Sequence, residues 1–296
     1  MKRVSPSDFL SDKTYVNGFA GHMFPKLAES FVDFFNGDYS LGLITGAVGT
    51  GKNSFIRLVA LRMLYELATM DENERIRLKL NPARVIWLPF FIKDREMFDI
   101  HFNAMRSLLE RTEYFGEFVK SDPLRKKIYI PKLNVEIAFD PTEKDIYCRE
   151  LFSSQIYAAF IIDNDGEGFW SNSVYKMIGS KVIRSTFFVS WSRYAEGFTN
   201  TLFQRDDLAV FDLAVFRRKF AVWDTRDMFN NWFDDGFFYA VYDKDTGVGR
   251  VDLHPGKLLE NEKEIRVPIA FYEDFSRDFE NSLFDIAGVI VPRKRG

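Results

Sequence analysis

The stretch "LITGAVGTGKNSF", Leu43–Phe55, restricts the fold of this chain more than any other. It begins in a short apolar run, "YSLGLIT", that reads as a buried strand, and it leads into "SFIRLVALRMLYELATM". There Phe55, Leu58, Val59, Met63 and Leu67 recur at three- and four-residue steps, the period of a helix. Between strand and helix stand Gly46, Gly49 and Gly51. Glycine tolerates positive φ, so such a turn can curl its backbone N–H groups around one point. The helix start adds partial positive charge, and Lys52 adds a full one. Residues Gly46, Ala47, Val48, Gly49, Thr50, Gly51, Lys52, Asn53 and Ser54 therefore read as a loop that cradles phosphate, with ATP the expected ligand. One position departs from the pattern. Asn53 stands where a Ser or Thr hydroxyl would ligate Mg²⁺, leaving a neutral carbonyl oxygen on a longer arm as a weaker ligand. Ser54 is no simple substitute, because adjacent helical residues point about 100° apart.

The rest of the chain repeats the alternation of strand and helix. "FPKLAESFVDFFN" (24–36) is helical through Leu27, Phe31, Phe34 and Phe35. "ARVIWLPFFI" is a second strand, and "REMFDIHFNAMRSLLERT" is a helix whose apolar face is read as Met97, Ile100, Ala104 and Leu108. "KKIYIPKLNVEIAF" gives two strands around Pro131–Asn134, while "SQIYAAFIID" and "TFFVSW" are buried strands. This order predicts a mostly parallel α/β sheet flanked by helices. After about residue 210 the strands shorten and the joins become turn-rich, as in "KDTGVG". The expected division is a core over 1–214 and a smaller subdomain over 215–296.

Composition excludes several function classes. The formal net charge of −3 gives no global field for nucleic acid, so any DNA contact must be a local patch. Cys148 is the only cysteine, so neither an intrachain disulfide nor a cysteine zinc site can form, and a reducing compartment is expected. His22, His101 and His254 lack metal-ligand spacing. The N-terminus has no apolar signal core, and no apolar run approaches the roughly 18 residues of a membrane span, so an intracellular chain without a membrane partner is expected. Thirty-two phenylalanines point to a Phe-rich core or, for some of the aromatics, to interfaces with other subunits.

"FIIDND" (Phe160–Asp165) supplies the acid that a phosphate loop needs. Asp163 is the expected Mg²⁺ residue, so Asn53 and Asp163 form the candidate metal pair. Asn164 follows, where a Glu would deprotonate the attacking water, and an amide cannot act as that base. Asp165 and Glu167 are nearby carboxylates that are either substitutes or a solvated turn. Ser190 and Ser192, at the end of "TFFVSW", are either γ-phosphate sensors or ordinary strand-end serines. Arg149 is a candidate arginine finger or a surface arginine. The basic "PRKRG" at Pro292–Gly296 reads as a solvated end or a local DNA contact.

Taken together, the pattern resembles the ATPase domain of phage terminase large subunits. The resemblance is carried by "YSLGLITGAVGTGKNSFIRLVALRMLYEL", by "LLERTEYF" leading into "KKIYIPKLNVEIAF", by "YAAFIIDND" with "TFFVSWSRYAEGF", and by "VPIAFYEDFSRDFENSLFDIAGV" (Val267–Val289). It implies a RecA-like (ASCE) P-loop NTPase core with a small C-terminal lid, assembling as a ring on the portal of a procapsid in the host cytoplasm. Double-stranded DNA, the portal protein and the terminase small subunit are its implied partners. It implies that Lys52 is the phosphate lysine and Asp163 the metal aspartate. Ser190–Ser192 would be the coupling segment, and Arg149 lies near the place of the trans-acting arginine. Asn53 and Asn164 depart from that pattern, and the family's nuclease domain is not expected in this chain. Two readings stand open: a packaging ATPase with weakened catalysis, and a non-hydrolysing scaffold or regulatory subunit. A third, an unrelated P-loop kinase, has no acceptor-site motif behind it.

Overall fold

A computed structural model describes residues 3–18, 23, 25–37, 39–47, 49–92, 95–139, 155–163, 182–190, 219–224, 236–254 and 256–289. Its centre is an eight-stranded sheet formed by β1 (Tyr39–Thr45), β2 (Ile86–Ile92), β3 (Lys120–Asp122), β4 (Lys127–Ile130), β5 (Val135–Phe139), β6 (Gln155–Asp163), β7 (Val182–Ser190) and β8 (Lys219–Asp224). The spatial order is β3-β4-β5-β2-β6-β7-β1-β8. From β5 to β8 every neighbouring pair is parallel, whereas β3 and β4 extend one edge as an antiparallel hairpin. Strand β2 is buried along its whole length, which explains why its sequence runs apolar without alternation.

The helices α1 (Pro6–Ser11), α2 (Lys13–Val16), α3 (Pro25–Asn36), α4 (Lys52–Thr69) and α6 (Arg95–Arg111) share one apolar core with the sheet, while α5 (Glu72–Arg77) has no buried residue. Helix α4 is buried nearly all round, and polar contacts fix it to the strands beneath. The Tyr157 hydroxyl on β6 donates to Glu66 Oε2 on α4 at 3.1 Å, and Arg184 Nε on β7 lies 3.7 Å from the same carboxylate. Burial beside that carboxylate pushes the Tyr157 phenol far above its usual range, so it stays a donor.

Phenylalanine dominates the sheet face under these helices. Phe139, Phe90, Phe160 and Phe187 are register partners on β5, β2, β6 and β7, so they form one row across four strands. Their ring centroids follow at 4.8, 4.5 and 5.6 Å, and Phe34 of α3 caps the row 4.4 Å from Phe187. Among the described residues, much of the Phe content is thus buried in the core.

Two sequence expectations shift. The apolar face expected for α6 holds only in part: Leu108 is buried and Met97 packs against the core, but Ile100 is 55% exposed, and Phe98, His101, Phe102, Met105 and Leu109 also point inward. Both sets have helical spacing, and the face carrying two phenylalanines fills the space over Phe139. The other shift concerns the division at residue 214. Strand β8 lies beyond it in sequence yet pairs with β1 in the main sheet. The second sheet begins only at β9 (Phe237–Asp243), with β10 (Gly249–Asp252) and β11 (Glu262–Pro268) antiparallel to either side. Helices α7 (Tyr272–Arg277) and α8 (Phe279–Asp285) complete this unit. No helix among the described residues is long and apolar enough to cross a membrane.

Candidate functional site

Strand β1 ends at Thr45 and hands the chain to a turn that reverses tightly into α4. Gly46, Gly49 and Gly51 have φ of 121°, 74° and 85°, conformations that a side chain would strain. Gly51 is the N-cap of α4 and offers no side-chain cap, so no side chain of the cap residue occupies the first-turn N–H donors. The turn is braced from within. Thr50 Oγ1 donates to the Ala47 carbonyl at 2.9 Å, and Lys52 Nζ donates to the Gly46 carbonyl at 2.9 Å and also to that of Ala47. Thr50 and Lys52 are both buried. The lysine thus has its ammonium inside the glycine turn.

The smaller unit rests on this turn. Ala47 is part of the apolar cluster of Phe238, Val267, Leu283 and Ala287. Gly288, at φ 66°, is packed so closely that a Cβ there would meet the Gly46 carbonyl carbon at 2.9 Å. Only a glycine lets the two backbones approach this far.

Strand register brings distant residues to the same edge. Asp163 pairs with Ser190, Ser190 with Thr45, and Thr45 with Asp224, so the C-terminal ends of β6, β7, β1 and β8 form one row beside the glycine turn. Asp163 is two strands from Thr45, about 10 Å at ordinary strand spacing. Ser190 stands between them, on the strand next to β1. Val48, Arg149, Asn164 and Ser192 lie outside the described residues, as do Asp165 and Glu167. Asp224 was not singled out by sequence; its signal is the apolar "FAVWD" run that ends in acid as "FIID" does.

The first turns of α4 hold a second polar group that spacing alone did not reveal. Asn53 Oδ1 is buried and accepts no hydrogen bond. Ser54 Oγ accepts from Arg57 Nη2 at 3.2 Å, while Arg57 Nε is buried without a partner. Burial lowers the Arg57 guanidinium to about 10. His101 of α6 is fully buried with neither ring nitrogen hydrogen-bonded. Its pKa falls to about 3, mainly through burial and secondarily through the Arg57 charge. Arg57 is detectable as the cation, at the i+4 position from Asn53, within the otherwise apolar stretch Phe55–Leu61.

His101 makes stability depend on pH. Unfolded, it titrates near 6.5; folded, near 3. Its neutral form is therefore the folded form, and stability is intact above pH 6.5 and lost as pH falls towards 3. The loss is up to about 1.4 kcal/mol per pH unit across that window. His101→Leu is expected to flatten the slope, read by urea unfolding at pH 7 and pH 5. An unchanged slope would place the acid sensitivity elsewhere.

Fold and site define a class: an α/β protein whose parallel sheet carries a glycine turn, with a buried lysine, between a central strand and a helix. A partial likeness to a particular protein follows. The fold is similar to that in the crystal structure of the HK97 bacteriophage large terminase, with a TM-score of 0.44 and 14% sequence identity. The overlap covers 63% of this chain and 38% of that one, so the chain spans well under half the length of that protein. No protein-family model matches the sequence, and no curated protein does either.

Proposed function

We propose that this chain binds ATP at the turn Gly46–Ser54 as the terminase-like ATPase part of a DNA-packaging motor, with hydrolysis weakened or lost. The observation that carries the nucleotide reading is Lys52, buried inside a turn of positive-φ glycines at the start of α4. A triphosphate would take the ammonium over from the loop carbonyls and meet the N-terminus of α4, where Gly51 brings no side-chain cap. Asp163 belongs to the same edge of the sheet, with Ser190 between it and β1. The buried, unpartnered Asn53 Oδ1 is an acceptor suited to a cation. Asn53 and Asp163 would hold Mg²⁺, which would shield phosphate charge there. The packaging role rests on the four stretches of sequence that resemble terminase ATPase domains. Double-stranded DNA, the portal protein, the small subunit and ring neighbours offering Arg149 are the partners of that role, at the procapsid portal in the host cytoplasm.

A second reading has its own support. Asn164 and Asn53 replace the base and the hydroxyl that turnover needs, which favours a scaffold or regulatory subunit that binds nucleotide without consuming it.

Titration calorimetry with ATP and Mg²⁺ tests the site common to both. The chain is expected to bind, and Lys52→Ala to bind roughly 10- to 100-fold more weakly through loss of a charge-assisted contact. Absence of binding by the unmodified chain would remove the nucleotide from the function altogether.

A further inference from the structure

The start of α4 carries more positive charge than a phosphate loop requires. Arg57 comes one helical turn after Asn53, on the same face. Helical side chains lean towards the N-terminus, and Arg57 does so: its Nη2 reaches Ser54 Oγ, on the first turn of α4, at 3.2 Å. The guanidinium therefore lies beside the uncapped end of the helix, where the macrodipole is already positive. A cation there is disfavoured unless an anion joins it. No ion pair reaches Arg57 among the described residues, and its Nε is buried without an acceptor.

The surroundings are polar and equally unsatisfied. Asn53 Oδ1 and Arg57 Nε are both orphaned, so they do not satisfy each other. His101, fully buried on α6 and close enough to feel the Arg57 charge, has two unpartnered nitrogens. A buried polar atom left unpaired is costly, and folded proteins seldom keep several together without a partner to complete them. The excess here is a fixed positive charge with free donors, and its complement is an oxyanion.

We propose that Arg57 supplies a built-in positive charge to the phosphate site, so that this chain grips a nucleoside triphosphate without needing a divalent cation. The inference rests on the nucleotide reading above. It also accounts for Asn53: where a guanidinium beside Ser54 neutralises phosphate charge, the hydroxyl that recruits the metal can be dispensed with. A metal can still enter through Asn53 and Asp163, but it adds little to the grip.

Calorimetric titration of the full chain with ATP, once in EDTA and once in magnesium chloride, decides it. The two affinities are expected to agree within about threefold, and Arg57→Met is expected to weaken binding roughly 10- to 100-fold in EDTA and less in magnesium. Arg57→Lys, which keeps the charge without the planar fork, should fall between. Thermal melting without nucleotide separates a ligand-directed arginine from a structural one: Arg57→Met should melt no lower than the parent chain, because it removes an uncompensated buried charge. A melting point several degrees lower would assign Arg57 to the core and overturn the proposal. Binding in magnesium but not in EDTA would overturn it too, and leave the nucleotide reading standing. No binding in either buffer would end both.

Discussion

Asn164→Glu combined with Asn53→Thr is expected to raise steady-state ATP turnover by roughly 100-fold or more. The first change restores a carboxylate that can take a proton from the attacking water, a contribution of about 10²- to 10⁴-fold where it is well placed. The second restores a hydroxyl at the start of α4, where Asn53 now presents a buried amide oxygen without a partner. Asp163 closes β6, β7 stands between it and β1, and β1 delivers the glycine turn and Lys52. The two changes are expected to be non-additive, because a base is useful only when the phosphates it serves are positioned. Asn164→Gln is the matched control, lengthening the side chain without making it basic, and should leave turnover at its starting level. Phosphate release measured for the parent chain, the two single variants, the double variant and the control decides between the two readings of function. Recovery in the double variant means that geometry was retained and chemistry removed; a silent double variant that still binds ATP means that the scaffold reading is correct.

Phe160→Ala is expected to lower stability by about 3–5 kcal/mol, the range for removing a fully buried aromatic ring from a core. Phe160 has no exposed surface and sits in mid-strand on β6, between β2 and β7. Its ring stacks 4.5 Å from Phe90 and 5.6 Å from Phe187, so its loss interrupts a row of rings running from Phe139 to Phe34. Neighbours held in a parallel sheet cannot close the void by moving one side chain. The row underlies the strand ends that carry Asp163 and Ser190, so weaker ATP binding should accompany the lower urea midpoint. A loss below about 1 kcal/mol would mean that the rings repack freely and that the row does not set strand order.

Legibility followed distance along the chain. The turn at Lys52, the strand before it and the helix after it were readable, because glycine positions and the period of apolar residues are properties of neighbours. The strands ending at Asp163 and Ser190 were readable as strands for the same reason. The buried face of α6 is legible only in part: Leu108 is buried as its spacing suggests, but Ile100 is 55% exposed while Phe98, His101, Phe102 and Met105 point inward, a choice that packing over Phe139 makes. Strand β8 was assigned to the smaller unit because a short apolar run carries no mark of the strand it will pair with.

By itself, then, the sequence determined that a lysine would stand in a glycine turn between strand and helix, and that acids would end strands elsewhere. Tertiary structure alone decided that Asp163, Ser190, Thr45 and Asp224 share one edge, and that His101 is buried within reach of the Arg57 charge. The reason is physical. Hydrogen-bond register between strands more than a hundred residues apart, and burial between helices, are settled by the packing of the whole sheet, of which any local window of residues holds only a fragment.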